Sequence, residues 1–209
     1  MTTDIIAIDG PAGSGKSTVA RALAAHLGWS VLDTGAMYRA VTSEALHLGI
    51  DPAEAEAVAH LAQFADIRTR PRVCINGRDV HDEIRTDAVN VGVSVVAANP
   101  RVRAAMVQRQ RAVAADEPGG LVVEGRDITT VVFPDARVKI FLTASFDERS
   151  RRRGDEGHDS VARRDHADSS RQASPLRQAE DALALDTTGM SVDQVVEEIV
   201  RCLKNTTSN

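Results

Sequence analysis

Five short apolar runs punctuate the chain: Ile5 to Ile8, Trp29 to Asp33, Gly120 to Gly125, Val138 to Ala144 and Asp181 to Asp186. They are nearly continuously apolar rather than alternating, which is the pattern of strands buried on both faces. Between the first two runs the period changes. Val19, Leu23 and Leu27 recur at helical spacing and Gly28 supplies a stop, so a helix is predicted over about Lys16 to Leu27. A last helix is predicted from Ser191, where Ser191-x-x-Gln194 fits a capping box and Val195, Ile199 and Leu203 share one stripe. Strands alternating with helices predict an α/β fold with a five-stranded parallel sheet wrapped by helices.

The middle of the chain breaks this rhythm. From Ile67 to Val80 the pattern predicts a hairpin, with Asn76-Gly77 as its turn. Helical segments follow at about 86–98 and 100–115, and Asn99-Pro100 reads as an N-cap followed by proline at the first helical position. Residues 67–116 are therefore expected to be an insertion in a core of about 1–66 and 117–209. A stretch at 151–175 is rich in Arg, Asp and Ser and poor in apolar residues, so it is expected to be an irregular, solvated, mobile segment.

Composition narrows the function. The 209 residues suit one domain, and with 43% hydrophobic but only 3% aromatic residues, aliphatic side chains must fill the core. A net charge of −5 argues against a general nucleic-acid surface, so no nucleic-acid polymer is expected as a partner. Cys74 and Cys202 share no motif, and the six histidines show no metal-ligand spacing. The start of the chain lacks a basic n-region, and no apolar run approaches membrane-helix length. A soluble cytoplasmic protein with no membrane partner is expected.

The first strand runs into Gly10-Pro11-Ala12-Gly13-Ser14-Gly15-Lys16-Ser17-Thr18. Gly10, Gly15, Lys16 and Ser17 match the P-loop pattern, with the strand before and helix after that its mechanism needs. The glycines let backbone N–H groups converge on the β- and γ-phosphates, and Lys16 reaches their oxygens. The Ser17 hydroxyl is the expected ligand of Mg²⁺. The loop does not name the acceptor, since GTPases, ATPases and small-molecule kinases all use it. The lack of an Asn-Lys-x-Asp motif argues against a GTPase, and the lack of a second domain argues against a motor or transporter. Three arginine-bearing stretches, Asp33 to Arg39, Glu124 to Asp127 and Arg164 to Arg171, fall near the C-terminal ends of strands or in loops, where open α/β sheets bind ligands. A guanidinium in any one of them could be an ordinary surface group. Together they suit phosphoryl transfer, whose charge bidentate arginines neutralise.

At this point the chain resembles the bacterial cytidylate kinases of the nucleoside monophosphate kinase group. The resemblance rests on AIDGPAGSGKST, LDTGAMYR, NGRDV followed by EIRT, VSVVAANPRVR, VEGRDITTVVFPDARVKIFLTAS and RRDHADSSRQASPL before LALDT. It implies a P-loop kinase with an inserted nucleoside-monophosphate-binding subdomain and a short lid at about 151–170, active as a monomer. It further implies that ATP, bound by Gly10 to Thr18, phosphorylates CMP and dCMP to the diphosphates. Arg39, Arg126 and Arg171 would hold the CMP phosphate, and with Lys16 form the catalytic set. Ser94, Arg103 and Asp127 would read the cytosine edge, Arg164 and Asp168 would bind the sugar, and Thr34 stands in the acceptor site. Arg149, Arg152 and Arg153 would close over the ATP phosphates. The chemistry is consistent, because cytosine pairs an amino donor with acceptors N3 and O2, whereas uracil offers O4 and N3–H.

Three departures from the family pattern carry expectations of their own. Thr34 replaces a serine but keeps the hydroxyl. Ile128-Thr129-Thr130 stands where the family has an apolar residue and then Gly-Thr, so strain or a shift is expected after Asp127. The stretch from Arg153 to Arg163 is shorter than usual, which puts lid closure in question. Two rival functions stay open at this level: a kinase for UMP, another nucleotide or a small metabolite, and a nucleotide-binding protein that has lost turnover.

Overall fold

The computed structural model describes residues 3–154, 157–171 and 174–206, with 157–160 and 204–206 as backbone only. The chain divides into two units, one made of the segment up to Leu32 and the segment from Ala114 onward, the other of Asp33–Val113.

The first unit is built on β1 (Ile5–Asp9), followed by α1 (Lys16–Leu27) and β2 (Ser30–Asp33). The helices of the second unit intervene before the sheet resumes. The most apolar runs lie innermost, and the strand order is β2-β6-β1-β7-β8 once the later strands are counted in chain order. Those later elements are β6 (Leu121–Gly125), β7 (Val138–Thr143) and β8 (Leu183–Asp186). β1 runs parallel to both neighbours, with Asp9 level with Gly125 on one side and Phe141 on the other. Two aliphatic layers meet at this sheet: Ile6, Ile8, Val122, Ile140 and Leu142 pack with Leu23 of α1 and Ile199 of the last helix. β8 departs from the expectation of strands buried on both faces. It is an edge strand, its side chains are mostly exposed, and Leu183 keeps 36% of its surface.

The second unit opens with α2 (Thr34–His47) and α3 (Ala55–Phe64). The hairpin predicted around Asn76-Gly77 is present: β4 (Cys74–Ile75) and β5 (Arg78–Asp79) pair antiparallel, and β3 (Ile67–Arg68) adds a third strand. Asn76 and Gly77 take φ of 51° and 81°, as the turn between two right-twisted strands requires. Glu44 of α2 accepts from Asn76 Nδ2 and from Arg78 Nε and Nη2, which pins the hairpin. A tight turn at Glu83–Arg85 leads to α4 (Asp87–Ala98) and α5 (Pro100–Ala115). The side chain of Asn99 accepts from the N–H groups of Arg101 and Val102, completing the expected cap.

This unit starts earlier than the 67–116 read from sequence. α2 is buried on nearly every side, and Gly92 of α4 approaches it so closely that a Cβ there would stand 3.0 Å from Thr42 Cγ2. A helix enclosed in this way belongs to the unit it packs with, and its lack of a polar face left no boundary in the sequence at Asp33.

The segment expected to be irregular is largely helical. α6 (Phe146–Arg153) and α7 (Gly157–Ser169) precede β8, and α8 (Val192–Thr206) ends the described chain. α7 buries almost no apolar side chain apart from Val161, so hydrophobic patterning could not announce it. Ion pairs hold it instead, as described below. Residues 155–156 and 172–173, which fall within the lid as read from sequence and its continuation, lie outside the described residues.

Candidate active site

The loop between β1 and α1 is shaped by three glycines. At Gly10 a Cβ would lie 2.1 Å from the Leu142 carbonyl oxygen, and at Gly13, with φ of 76°, 2.6 Å from that of Arg149. No other residue fits either place. Gly15 caps α1 without a side chain, so no side chain caps the first amides of the helix, and that geometry suits an anion. Two guanidinium groups brace the loop from α6. Arg149 donates to Ala12 O at 3.0 Å, and Arg152 donates to Ser14 O at 3.3 Å and to Thr187 Oγ1 at 2.9 Å. Both therefore meet the loop through its carbonyls. Arg153, from the same helix, is half-buried.

Lys16 is 5% exposed and donates to Pro11 O at 2.7 Å and to Ser14 Oγ at 3.3 Å. Burial, then the Arg126 charge, pulls its ammonium down to about 7. The Ser17 hydroxyl donates to the carboxylate of Glu124, itself 4% exposed at the end of β6. A buried acid beside the P-loop hydroxyl is the pairing that P-loop enzymes use around a metal. Sequence reasoning assigns Glu124 no role of its own. Its signal was available: an acid closing an apolar run on the strand next to β1.

Asp168 of α7 accepts from Arg126 Nε at 2.6 Å and from Arg171 Nη2 at 2.5 Å. The structure thus brings two of the three arginines expected at the acceptor phosphate onto one carboxylate. Burial alone would raise the Asp168 carboxyl, but Arg126 and Arg171 outweigh it and hold it below the usual range. Arg126 is raised in turn, since burial opposes its charge but Asp168 outweighs that effect. One turn earlier, Asp165 accepts from the Ala12 N–H at 3.3 Å and from Arg149 Nη1 at 2.5 Å. Asp165 and Asp168 give α7 a charged inner face, and the irregular reading of 151–175 concealed that i, i+3 relation. Arg164, on the same helix, is half-buried.

Asp127 is 5% exposed and begins the helical turn Ile128–Val132. The strain expected at Thr129 does not arise. Among the described residues only Asn76 and Ser174 are non-glycine residues at positive φ, so Thr129 has no left-handed backbone to hold. It is 1% exposed, and its N–H and hydroxyl both donate to Asp9. Burial pushes the Asp9 carboxyl up from its ordinary value, against the pull of those donors.

The other expected residues belong to the second unit. Arg39 lies within α2 rather than in a loop, because Asp33 caps that helix by accepting from Ala36 N at 2.9 Å. Its Nη1 donates to Ile84 O at 2.8 Å and to Asn90 Oδ1 at 2.7 Å. Thr34 is buried in the first turn of α2, and Ser94 is half-buried on α4. Arg103 of α5 is 5% exposed, donates to Ala97 O at 3.2 Å and lies 5.8 Å over the Tyr38 ring. Its guanidinium is held by backbone and ring, and it is buried as a base-reading group would need to be.

A parallel sheet with a braced glycine-rich loop, a buried lysine and a serine–glutamate pair defines a P-loop kinase. Solved structures agree at the level of fold. Shikimate kinase from Acinetobacter baumannii superposes with a TM-score of 0.50 over 98% of this chain and 94% of its own, at 15% identity. An uncharacterized protein from Eubacterium ventriosum gives 0.53 over 97% and 99%, also at 15%. Sequence comparison is more specific. The family model for cytidylate kinase matches residues 6–205. The cytidylate kinase of Geobacillus kaustophilus is 49% identical over 212 residues, covering 93% of this chain and 94% of that protein. That of Mycolicibacterium paratuberculosis is 49% identical over 217 residues, covering 95% of each. The chain belongs to the cytidylate kinase family.

Proposed function

We propose that this protein transfers the γ-phosphoryl group of ATP to CMP and dCMP, releasing ADP and a cytidine diphosphate. The observation that carries the reading is family membership across residues 6–205, with every P-loop group in place. Lys16 leaves its contacts with Pro11 O and Ser14 Oγ to meet the β- and γ-oxygens, where it stabilises the charge of transfer. Gly10 to Thr18 bind the ATP phosphates, and Arg149, Arg152 and Arg153 support them. Arg39, Arg126 and Arg171 hold the acceptor phosphate, and Arg164 and Asp168 take the sugar. Ser94, Arg103 and Asp127 read the base, with Thr34 beside the acceptor.

The reaction implies Mg²⁺, and the residues present fit it. Ser17 Oγ and the Glu124 carboxylate are hard oxygen donors already in contact. Among the described residues no group of three or more His, Cys, Asp or Glu could form an all-protein cage. Mg²⁺ does not need one, since nucleotide phosphates and water complete its shell. When bound it supplies charge neutralisation on the β- and γ-oxygens. The enzyme works as a monomer in the cytoplasm on small molecules, and no described helix is long and apolar enough to cross a membrane.

ADP production from ATP and Mg²⁺ with CMP, dCMP, UMP, AMP, GMP and dTMP tests the reading. CMP and dCMP should turn over strongly and UMP weakly, and Asp127→Ala should remove most of that preference. A preference for another acceptor, or no turnover with any, would overturn it.

A further inference from the structure

A trans peptide is planar, so its carbonyl and its N–H point to opposite sides of the chain. Whatever holds the one aims the other. The Pro11–Ala12 peptide defines the two sides of the glycine-rich loop. Its carbonyl accepts from Lys16 Nζ at 2.7 Å, and its N–H donates to Asp165 Oδ1 at 3.3 Å. Lys16 and α7 therefore meet opposite sides. The Ala12–Gly13 peptide is turned over. Its carbonyl accepts at 3.0 Å from Arg149 Nη1, which also donates to Asp165, so it faces the helices and leaves the Gly13 N–H on the Lys16 side. The Ser14–Gly15 peptide repeats this, with Arg152 Nη1 of the same helix on the Ser14 carbonyl at 3.3 Å. Gly13 and Gly15, with φ of 76° and 91°, supply the backbone reversals that this alternation needs. Among the described residues neither of their N–H groups donates to a protein acceptor.

The two guanidinium groups are themselves fixed. Arg149 Nε donates to Ala144 O at 3.2 Å. Arg152 donates from Nε to Glu148 Oε1 at 2.8 Å, from Nη1 to Thr187 Oγ1 at 2.9 Å and from Nη2 to Thr187 O at 2.8 Å. Both N–H groups of each Nη1 are thus taken by protein, one of them in each case by a loop carbonyl. An arginine that grips a phosphate presents a pair of N–H groups to it. We propose that Arg149 and Arg152 are positioning residues for the donor triphosphate: they hold the Ala12 and Ser14 carbonyls toward α6 and so aim the Gly13 and Gly15 N–H groups at the phosphates. They act through the peptides rather than on the phosphates. This rests on the ATP-binding part of the reading above and is independent of the acceptor. Each arginine has one amide of its own, Gly13 for Arg149 and Gly15 for Arg152. A direct phosphate ligand would have no such pairing.

The experiment is amide NMR of the full chain at saturating ATP and Mg²⁺, without acceptor, on the wild type, Arg149→Met, Arg152→Met and Thr187→Val, beside ATP titrations of each. In the wild type the Gly13 and Gly15 amide protons should move downfield on binding, as charge-assisted hydrogen bonds require. Arg152→Met should reduce the Gly15 displacement at saturation and leave that of Gly13, and Arg149→Met should do the reverse. ATP affinity should fall by about tenfold in each, the scale of one charged hydrogen bond. The Thr187 hydroxyl meets Arg152 and, at 3.4 Å, the same Ser14 carbonyl. Thr187→Val keeps the guanidinium charge, so it should reproduce the Gly15 effect at smaller amplitude. If Arg149→Met does not fold, Arg152→Met and Thr187→Val decide the matter. Wild-type amide displacements at saturation despite a lowered affinity, or equal losses at both glycines in Arg152→Met, would make the arginines phosphate ligands and overturn the proposal. A Gly15 displacement unchanged in Thr187→Val overturns it for Arg152. If the wild type binds no ATP, the kinase reading and the proposal fall together, whereas turnover of an acceptor other than CMP overturns the cytidylate reading alone.

Discussion

Asp168 stands between two guanidinium groups, and its charge matters to the fold as well as to the site. The carboxyl is held below its ordinary 3.8 in the folded protein, because Arg126 and Arg171 outweigh burial. A depressed carboxyl contributes stability above its unfolded value and loses it as the pH falls through the folded one. Asp168→Asn should therefore flatten the acid side of the stability profile below about pH 4. At neutral pH it should cost about 2–4 kcal/mol, because two half-buried cations lose the buried carboxylate they share. Urea unfolding from pH 3 to 7 measures both effects, and an unchanged acid limb would place the acid sensitivity elsewhere. Lys16 behaves oppositely. Burial works against its charge, so Lys16→Met should leave the melting temperature unchanged or raise it. Turnover should nevertheless drop by about a hundredfold to a thousandfold, as for other lost transition-state donors. Calorimetry beside an ADP assay separates the two, and a parallel collapse would make Lys16 a structural residue.

At the scale of elements, legibility followed the source of stability. α1 was readable to the residue because Val19, Leu23 and Gly28 carry both its stripe and its stop. The Ser191 cap was readable because both of its reciprocal bonds are local, Gln194 N to Ser191 Oγ at 3.2 Å and Ser191 N to Gln194 Oε1 at 2.8 Å. α7 was not readable, because what orders it is distant: Asp165 reaches Ala12 and Arg149, and Asp168 reaches Arg126. No periodicity within 157–169 encodes partners 16, 42 and 153 residues away on other elements. The same fact makes α7 breakable without touching the core. Asp165→Ala should speed amide exchange across 157–169 by about tenfold, which is the scale of one charged hydrogen bond. Exchange in β1 and β6 should stay as it is. KM for ATP should rise, since the same carboxylate braces the loop at Ala12. Exchange unchanged in α7 would mean that Asp168 alone anchors the helix. The loop itself tolerates less. Gly13→Ala would put a Cβ 2.6 Å from Arg149 O, so the loop and α6 must separate.

At the scale of the molecule, the sheet was legible and the division of the chain was not. The innermost strands announce themselves because burial on both faces demands continuous apolar residues, whereas α2 joins the second unit through packing that leaves no mark at Asp33. The P-loop and the arginines were legible as chemistry. Asp9, Glu124 and Asp165 were not, since an acid's role depends on which donors face it. Ile199 of α8 is fully buried in the cluster that also holds Leu23 of α1 and Ile8 of β1. Ile199→Ala should cost about 2–5 kcal/mol as a core truncation. In a chain of 209 residues that corresponds to a fall in melting temperature of roughly 5–15 °C. Lys16 begins α1 on the side of the helix that meets the loop, and Leu23 lies two turns further along it. If α1 moves as a rigid rod, the cavity left by Ile199 stays local, and kcat and both KM values at 25 °C should match the wild type. A fall in kcat well below the melting transition would show instead that packing on α8 sets the position of the first turn of α1. The cytidylate chemistry would then depend on the far side of the sheet.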